Sequence, residues 1–137
     1  MLREHMLFAG FATALVCAAI VAGFLTLGSP SRQRLAAQDR SRVADLKAVA
    51  GEIHSLWKKG PPSALKDLAS APGARNLRVT DPVTGEPYEY TRREGTVYEL
   101  CATFAAVDRA PGPNPSFWVH PKGRGCYTLD AANRPPE

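Results

Sequence analysis

A charge-free apolar run from Met6 to Leu27 is the feature that most constrains this chain. The run is about 22 residues long, and a helix of that length reaches roughly 33 Å at about 1.5 Å per residue, enough to cross a hydrocarbon core of about 30 Å. Residues 1–28 are therefore predicted to form a single transmembrane anchor. The remainder of the 137-residue chain is large enough for one small domain.

A cleaved signal peptide is the alternative interpretation of the same segment. The apolar region of a signal peptide is about 7 to 15 residues long and is followed by small residues, whereas this run is longer and ends in Phe24-Leu25-Thr26-Leu27. An uncleaved signal anchor fits better. By the positive-inside rule, four arginines after the run would keep the following domain in the cytoplasm: Arg32, Arg34, Arg40 and Arg42.

The cysteines predict the opposite compartment. Cys17 lies within the apolar run, whereas Cys101 and Cys126 lie in two segments whose apolar and polar residues alternate as in β-strands. Neighbouring antiparallel strands would present both sulfurs on one face of a sheet, which predicts a Cys101–Cys126 disulfide. Such a bond needs an oxidising compartment and places the domain outside the cytoplasm. The alternative is two free buried thiols in a cytosolic domain.

The rest of the sequence predicts an α+β domain. Apolar residues spaced by three and four from Leu46 to Trp57 indicate that residues 29–59 form a long amphipathic helix. Its first part, residues 32–42, is expected to be a polar stalk whose arginines face solvent or anionic lipid headgroups. Residues 60–130 should contain a short helix capped by Ser63 and an antiparallel sheet of three or four strands. Residues 88–92 and 96–104 should form a hairpin around Arg93-Glu94-Gly95, and Phe117–His120 an edge strand. Residues 131–137 should be a flexible tail.

This order of elements resembles a type IV pilin and, more closely, the pseudopilins of type II secretion. The segment WKKGPPSALKDL, residues 57–68, looks like the family's passage after the long helix, and DPVTGEPYEY, residues 81–90, is similar to its DPWGNPYxY passage. The resemblance implies a long N-terminal helix packed on an antiparallel sheet. The family's peptidase signal is missing, because Gly10-Phe11 is followed by no acidic residue within the span. The chain also resembles uncharacterised bacterial membrane-anchored domains with a YELCATF-type strand.

Catalytic and cofactor chemistry are not indicated by the sequence. The three histidines, His5, His54 and His120, are scattered and belong to no recognisable metal or nucleophile motif. We therefore expect no enzyme activity, no cofactor and no bound metal, and infer no small-molecule substrate. The net charge of +4 is spread among acidic residues, so nucleic-acid binding is not expected either.

These observations favour a single-pass protein of the bacterial inner membrane that acts as a structural or accessory subunit of a larger assembly. Its expected partners are membrane lipids and other membrane-protein subunits. Small residues spaced by four would let another transmembrane helix approach closely: Gly10, Ala14, Ala18 and Ala22. One alternative is a pseudopilin-like or minor-pilin-like component of a secretion or DNA-uptake system. Another is a stand-alone extracytoplasmic binding module with an interaction loop that contains Pro111, Pro113, Pro115 and Trp118.

Overall fold

The computed structural model describes residues 2–27, 29–57, 60–72, 77–108 and 116–136. The helices are α1 (Leu2–Leu27), α2 (Pro30–Leu56) and α3 (Leu65–Ala69), and the strands are β1 (Glu89–Arg92), β2 (Val97–Phe104) and β3 (Gly123–Asp130). The predicted α+β class is confirmed. The chain divides into two compact units, Met1–Arg34 and Leu35–Glu137, which are described separately below.

The first unit contains α1 and the start of α2. Large apolar side chains along α1 are exposed, with Phe8 at 74% and Phe11 at 71%. Over the residues that the structure describes, none of the helices meets the length and hydropathy needed to span a lipid bilayer. The predicted transmembrane anchor is therefore not found among them. Ser29 is the N-cap residue of α2, and its Oγ accepts a hydrogen bond from the Arg32 amide at 3.4 Å.

The second unit is built on a three-stranded antiparallel sheet with the order β1-β2-β3. A tight turn at Gly95, whose φ is 63°, joins β1 to β2 and confirms the predicted hairpin. The predicted edge strand at residues 117–120 is wrong. Those residues form a turn instead, since the Val119 amide donates to the Ser116 carbonyl at 3.1 Å and the Trp118 amide donates to Ser116 Oγ.

The core lies between one face of α2 and one face of the sheet. The helix contributes the predicted apolar stripe, and the sheet contributes the alternate residues that face away from the disulfide. Burial of these apolar side chains stabilises the unit through the hydrophobic effect. The buried residues include Leu46, Val49, Ala50 and Ile53 of α2 with Tyr98, Leu100, Phe104, Tyr127 and Leu129 of the sheet.

The ends of the elements differ in detail from expectation. Helix α2 ends at Leu56, while the predicted end at Lys59 lies outside the described residues. Helix α3 is capped at Ala64 rather than at Ser63, because Asp67 Oδ2 reaches back to accept the Ala64 amide at 3.1 Å. Contacts hold the described part of the C-terminal tail: Ala131 is fully buried, and the Pro136 carbonyl accepts a hydrogen bond from Trp118 Nε1 at 2.8 Å.

Candidate functional site

The buried stripe of α2 begins with two charged residues. Asp39 and Arg42 are only 3% and 4% exposed. This corrects the prediction that the polar stalk extends through residue 42 and that Arg42 faces lipid or solvent, whereas Arg32, Arg34 and Arg40 are exposed. Sequence reasoning missed both residues, although the signal was present: positions 39, 42, 46, 49 and 53 alternate spacings of three and four, so the charged pair is in phase with the apolar stripe.

Arg42 is held between two carboxylates. Its Nη1 donates to Asp39 Oδ1 at 2.6 Å, its Nε donates to Asp81 Oδ2 at 2.6 Å, and its Nη2 donates to Asp81 Oδ1 at 3.2 Å. The contact with Asp81 is the two-pronged geometry that suits a planar guanidinium. The hydrogen bond that Arg42 donates to Asp81 raises the pKa of Arg42 against the opposing effect of burial. Asp39, Arg42 and Asp81 are called the Arg42 centre below.

Backbone amides occupy the remaining acceptor positions of the Arg42 centre. Asp39 accepts the amides of Ala105 and Ala106, at 2.9 and 2.8 Å, just beyond the end of β2. Asp81 accepts the amides of Val83 and Thr84, at 2.7 and 3.2 Å, within its own turn. Burial alone would raise the pKa of Asp81, but the hydrogen bonds from Arg42 and these two amides hold it below its usual value.

A second polar link lies one helical turn further along α2. Tyr88 donates its hydroxyl to Asp45 Oδ2 at 2.9 Å, and Arg78 approaches the same oxygen at 3.5 Å. Burial and the neighbouring Asp45 carboxylate raise the pKa of Tyr88 above its ordinary value, so its hydroxyl stays protonated and keeps donating. Together with the Arg42 centre, this bond fixes α2 to the turn at residues 81–87 and to the end of β2.

A pocket of about 510 Å³ opens beside the Arg42 centre. In the described part of the chain, this centre offers neither an unpaired carboxylate that could act as a base nor a free nucleophile, because each carboxylate oxygen already accepts a hydrogen bond. The arrangement suits a structural clamp better than acid–base catalysis. The pocket lining includes Arg42, Thr84, Glu86, Tyr88, Glu89 and Thr103.

The predicted disulfide is confirmed. Cys101 and Cys126 lie directly opposite each other on β2 and β3, with their Cα atoms 4.1 Å apart, and their sulfurs are bonded. Glu99 lies close enough to both sulfurs to suggest a metal-ligand cluster. The disulfide excludes that use, since bonded sulfurs offer no thiolate to a metal. The same face carries exposed ion pairs: Arg93 with Glu99 at 2.6 Å and Arg124 with Glu89 at 2.8 Å.

The structure describes one residue of the predicted interaction loop, Trp118, and its position does not support a role in ligand binding. Trp118 is only 2% exposed, and its ring lies 4.8 Å from that of Tyr127, so it is a core residue rather than a ligand-facing one. The histidines with described side chains have packing roles: His120 stacks on Phe104 at 3.8 Å, and His54 Nδ1 lies 3.1 Å from the Ala131 carbonyl. Pro111, Pro113 and Pro115 lie outside the described residues.

The four small residues predicted to pack against another membrane helix are exposed along α1: Gly10, Ala14, Ala18 and Ala22. Comparison of the chain with protein-family models, with curated proteins and with solved structures finds no match. What the protein does is therefore inferred from its own residues and their geometry.

Proposed function

We propose that this protein is a membrane-anchored, non-catalytic accessory subunit of a membrane-associated assembly in a bacterial envelope. The observation that carries the proposal is the apolar surface of α1. Its exposed side chains fall on every side of the helix, since successive residues are rotated by about 100°, and a helix that is apolar all round belongs in a protein core or in lipid. They include Phe8, Phe11, Leu15, Val16, Ile20, Val21 and Phe24.

The anchor is inferred from the charge-free, apolar sequence from Met6 to Leu27, and not from a spanning helix, since none occurs among the described residues. Lipid would cover the apolar surface that the isolated chain leaves exposed. The disulfide supports a domain outside the cytoplasm, since thiols are kept reduced inside it. The small residues of α1 would then be available for contact with a helix of a partner subunit.

A pseudopilin-like component is the second candidate. It is favoured by the way α2 packs through one continuous stripe on an antiparallel sheet, which is the arrangement that the resemblance implies. A stand-alone binding module has less support, because the aromatic residue expected to face its ligand, Trp118, is buried.

Thiol accessibility tests the anchor and its orientation. Cys17 is free and lies near the middle of the run, so a membrane-impermeant maleimide should fail to label it in intact membranes and should label it after denaturing detergent. The matched control is a Cys17→Ala/Ser29→Cys variant, whose thiol should be labelled from the extracytoplasmic side without detergent. Labelling of Cys17 in intact membranes, or extraction of the protein by alkaline carbonate, would contradict the anchor.

Purification in mild detergent tests the subunit role. A heteromeric complex of fixed composition is expected, and Ala14→Ile together with Ala18→Ile should release the partner by blocking close helix approach. Leu15→Ile is the control, because it alters an apolar neighbour without filling that face. N-terminal sequencing separates the two candidates: a mature chain that begins at Phe11 with a methylated amine would favour the pseudopilin-like component instead.

A further inference from the structure

Strand β3 forms one edge of the sheet, and half of its backbone groups face away from β2. The Ala131 amide donates to the Thr96 carbonyl at 2.9 Å, which fixes the phase of the antiparallel ladder. Because the direction of backbone hydrogen bonding alternates along a strand, Tyr127 and Leu129 bond to β2. The N–H and C=O groups of Arg124, Cys126 and Thr128 therefore point outward from the sheet.

Within the described residues, no backbone or side-chain hydrogen bond reaches these outward groups. All three residues are exposed, and the strand is eight residues long. A long edge with unpaired amides and carbonyls is a template for another strand. The opposite edge is less available, because β1 has four residues and the Tyr88 amide just before it already donates to the Val79 carbonyl at 3.0 Å.

The charges along β3 are complementary to those of an antiparallel copy of itself. Lys122 precedes the strand and is exposed. Asp130 ends the strand, and its carboxylate accepts hydrogen bonds from the Ala132 amide and from Asn133 Nδ2 while keeping its negative charge. If Cys126 faces Cys126 of a second copy, Arg124 faces Thr128 and Lys122 faces Asp130. This register pairs every outward N–H and C=O of the three edge residues and places opposite charges together at both ends.

We propose that β3 is a self-association surface, through which two copies of this chain join their sheets across a two-fold axis into one continuous antiparallel sheet. Such an interface is self-complementary, as two-fold symmetry requires. Phe117 and tail residues 133–136 border the same pocket as Thr128, and the ring of Phe117, which packs against Tyr127 on one side, remains 42% exposed beside the seam. The proposal does not depend on whether α1 crosses a membrane.

Zero-length cross-linking tests the register. Lys122 and Asp130 of one chain are roughly 27 Å apart, at about 3.4 Å per residue of strand, so a carbodiimide can join them only between copies. An equal mixture of ¹⁴N- and ¹⁵N-labelled full-length protein in mild detergent should give a Lys122–Asp130 cross-linked peptide with mixed-isotope signals. Absence of that mixed-isotope peptide at concentrations where the protein is dimeric would overturn the proposal.

Substitution of Thr128 tests the backbone pairing. Thr128→Pro removes an outward N–H without touching the ladder to β2, and proline is tolerated at such edge positions. The dimer dissociation constant, measured by sedimentation in density-matched detergent, should rise roughly tenfold or more, because each copy loses one intermolecular hydrogen bond. Thr128→Ala keeps the N–H and should leave the constant unchanged. A monomer at all concentrations, or a dimer indifferent to Thr128→Pro, would contradict the proposal.

Exchanging the charges of Lys122 and Asp130 tests the same register without introducing a proline, which could itself disturb folding. Lys122→Glu alters an exposed residue outside the strand and should weaken the dimer by placing two acidic groups together. Adding Asp130→Lys should restore the dissociation constant, because the exchange re-creates the opposite pairing. Asp130→Lys alone is the control for the hydrogen bonds that Asp130 accepts from Ala132 and Asn133, and it should weaken the dimer by placing two basic groups together. If the double variant is as weak as the single variant, or if neither differs from the natural chain, the proposed register is wrong.

Discussion

At the scale of single residues, one guanidinium group bridges two buried carboxylates where α2 meets the sheet. The Coulomb attraction of such a cluster is largely offset by the cost of removing the three charges from water. Loss of one charged residue from the cluster is nevertheless strongly destabilising, because the remaining charges stay buried without a counter-charge. Arg42 thus acts as a constraint on where α2 can dock, more than as a large source of net stability.

Replacement of Arg42 tests this role. Arg42→Met should lower the free energy of unfolding by about 3 to 5 kcal/mol, because Asp39 and Asp81 would stay buried without their counter-charge. Arg40→Met is the matched control: Arg40 is exposed on the same helix, and its loss should change stability by less than about 0.5 kcal/mol. Urea unfolding of the full chain in mild detergent measures both. Equal effects of the two substitutions would contradict the clamp.

Asp81 gives the domain a pH dependence with a defined sign. Its folded-state pKa lies below the unfolded value of about 3.9, so its contribution to stability is complete above that pH and is lost as the pH falls through the folded-state pKa. Asp81→Asn should therefore flatten the decline of stability below about pH 4. Unfolding midpoints measured from pH 7 down to pH 2 check this. An unchanged slope in the variant would mean that other carboxylates cause the acid loss.

At the scale of elements, the sequence predicts the helix face and the strand pairs that follow from the spacing of apolar residues. It does not predict the burial of side chains whose partners are distant in sequence. The stripe of α2, the hairpin at Gly95 and the disulfide across β2 and β3 follow from spacings of three, four and two. Asp39 was missed because a charged residue is assigned to solvent unless its partners are known, and the two amides that it binds, those of Ala105 and Ala106, lie 66 and 67 positions away. Trp118 was misplaced for a similar reason, since its acceptor, the Pro136 carbonyl, is supplied by the distant tail.

The packing of α2 can be tested by placing the same charge on its two faces. Ile53 is fully buried in the core, so Ile53→Asp should lower the free energy of unfolding by several kcal/mol, through both lost apolar contact and a buried charge. Ala48→Asp is the control, because Ala48 is exposed on the same helix and should tolerate the change. Circular dichroism during denaturation gives both values. Equal tolerance would mean that α2 does not pack on the sheet.

At the scale of the whole molecule, the chain joins an apolar helical unit to a small domain with a modest core. A domain of this size buries a smaller fraction of its surface than a large one, and a covalent link therefore matters more to it. The disulfide joins the central strand to the strand that we propose as the self-association edge. Its loss should consequently affect both the stability of the domain and the shape of β3.

Removing the disulfide is the test at this scale. The bond closes a loop with a sequence separation of 25, for which the chain-entropy estimate is about 3 to 4 kcal/mol. The Cys101→Ala/Cys126→Ala variant should be less stable by about that amount and should be indifferent to reductant, whereas reductant should lower the stability of the natural chain by cleaving its disulfide. Cys17→Ala is the control and should change neither property, because Cys17 is free and lies in α1. If the double variant unfolds at the same urea concentration as the control, the disulfide is dispensable for the fold, and the oxidising compartment inferred from it would lose its physical basis.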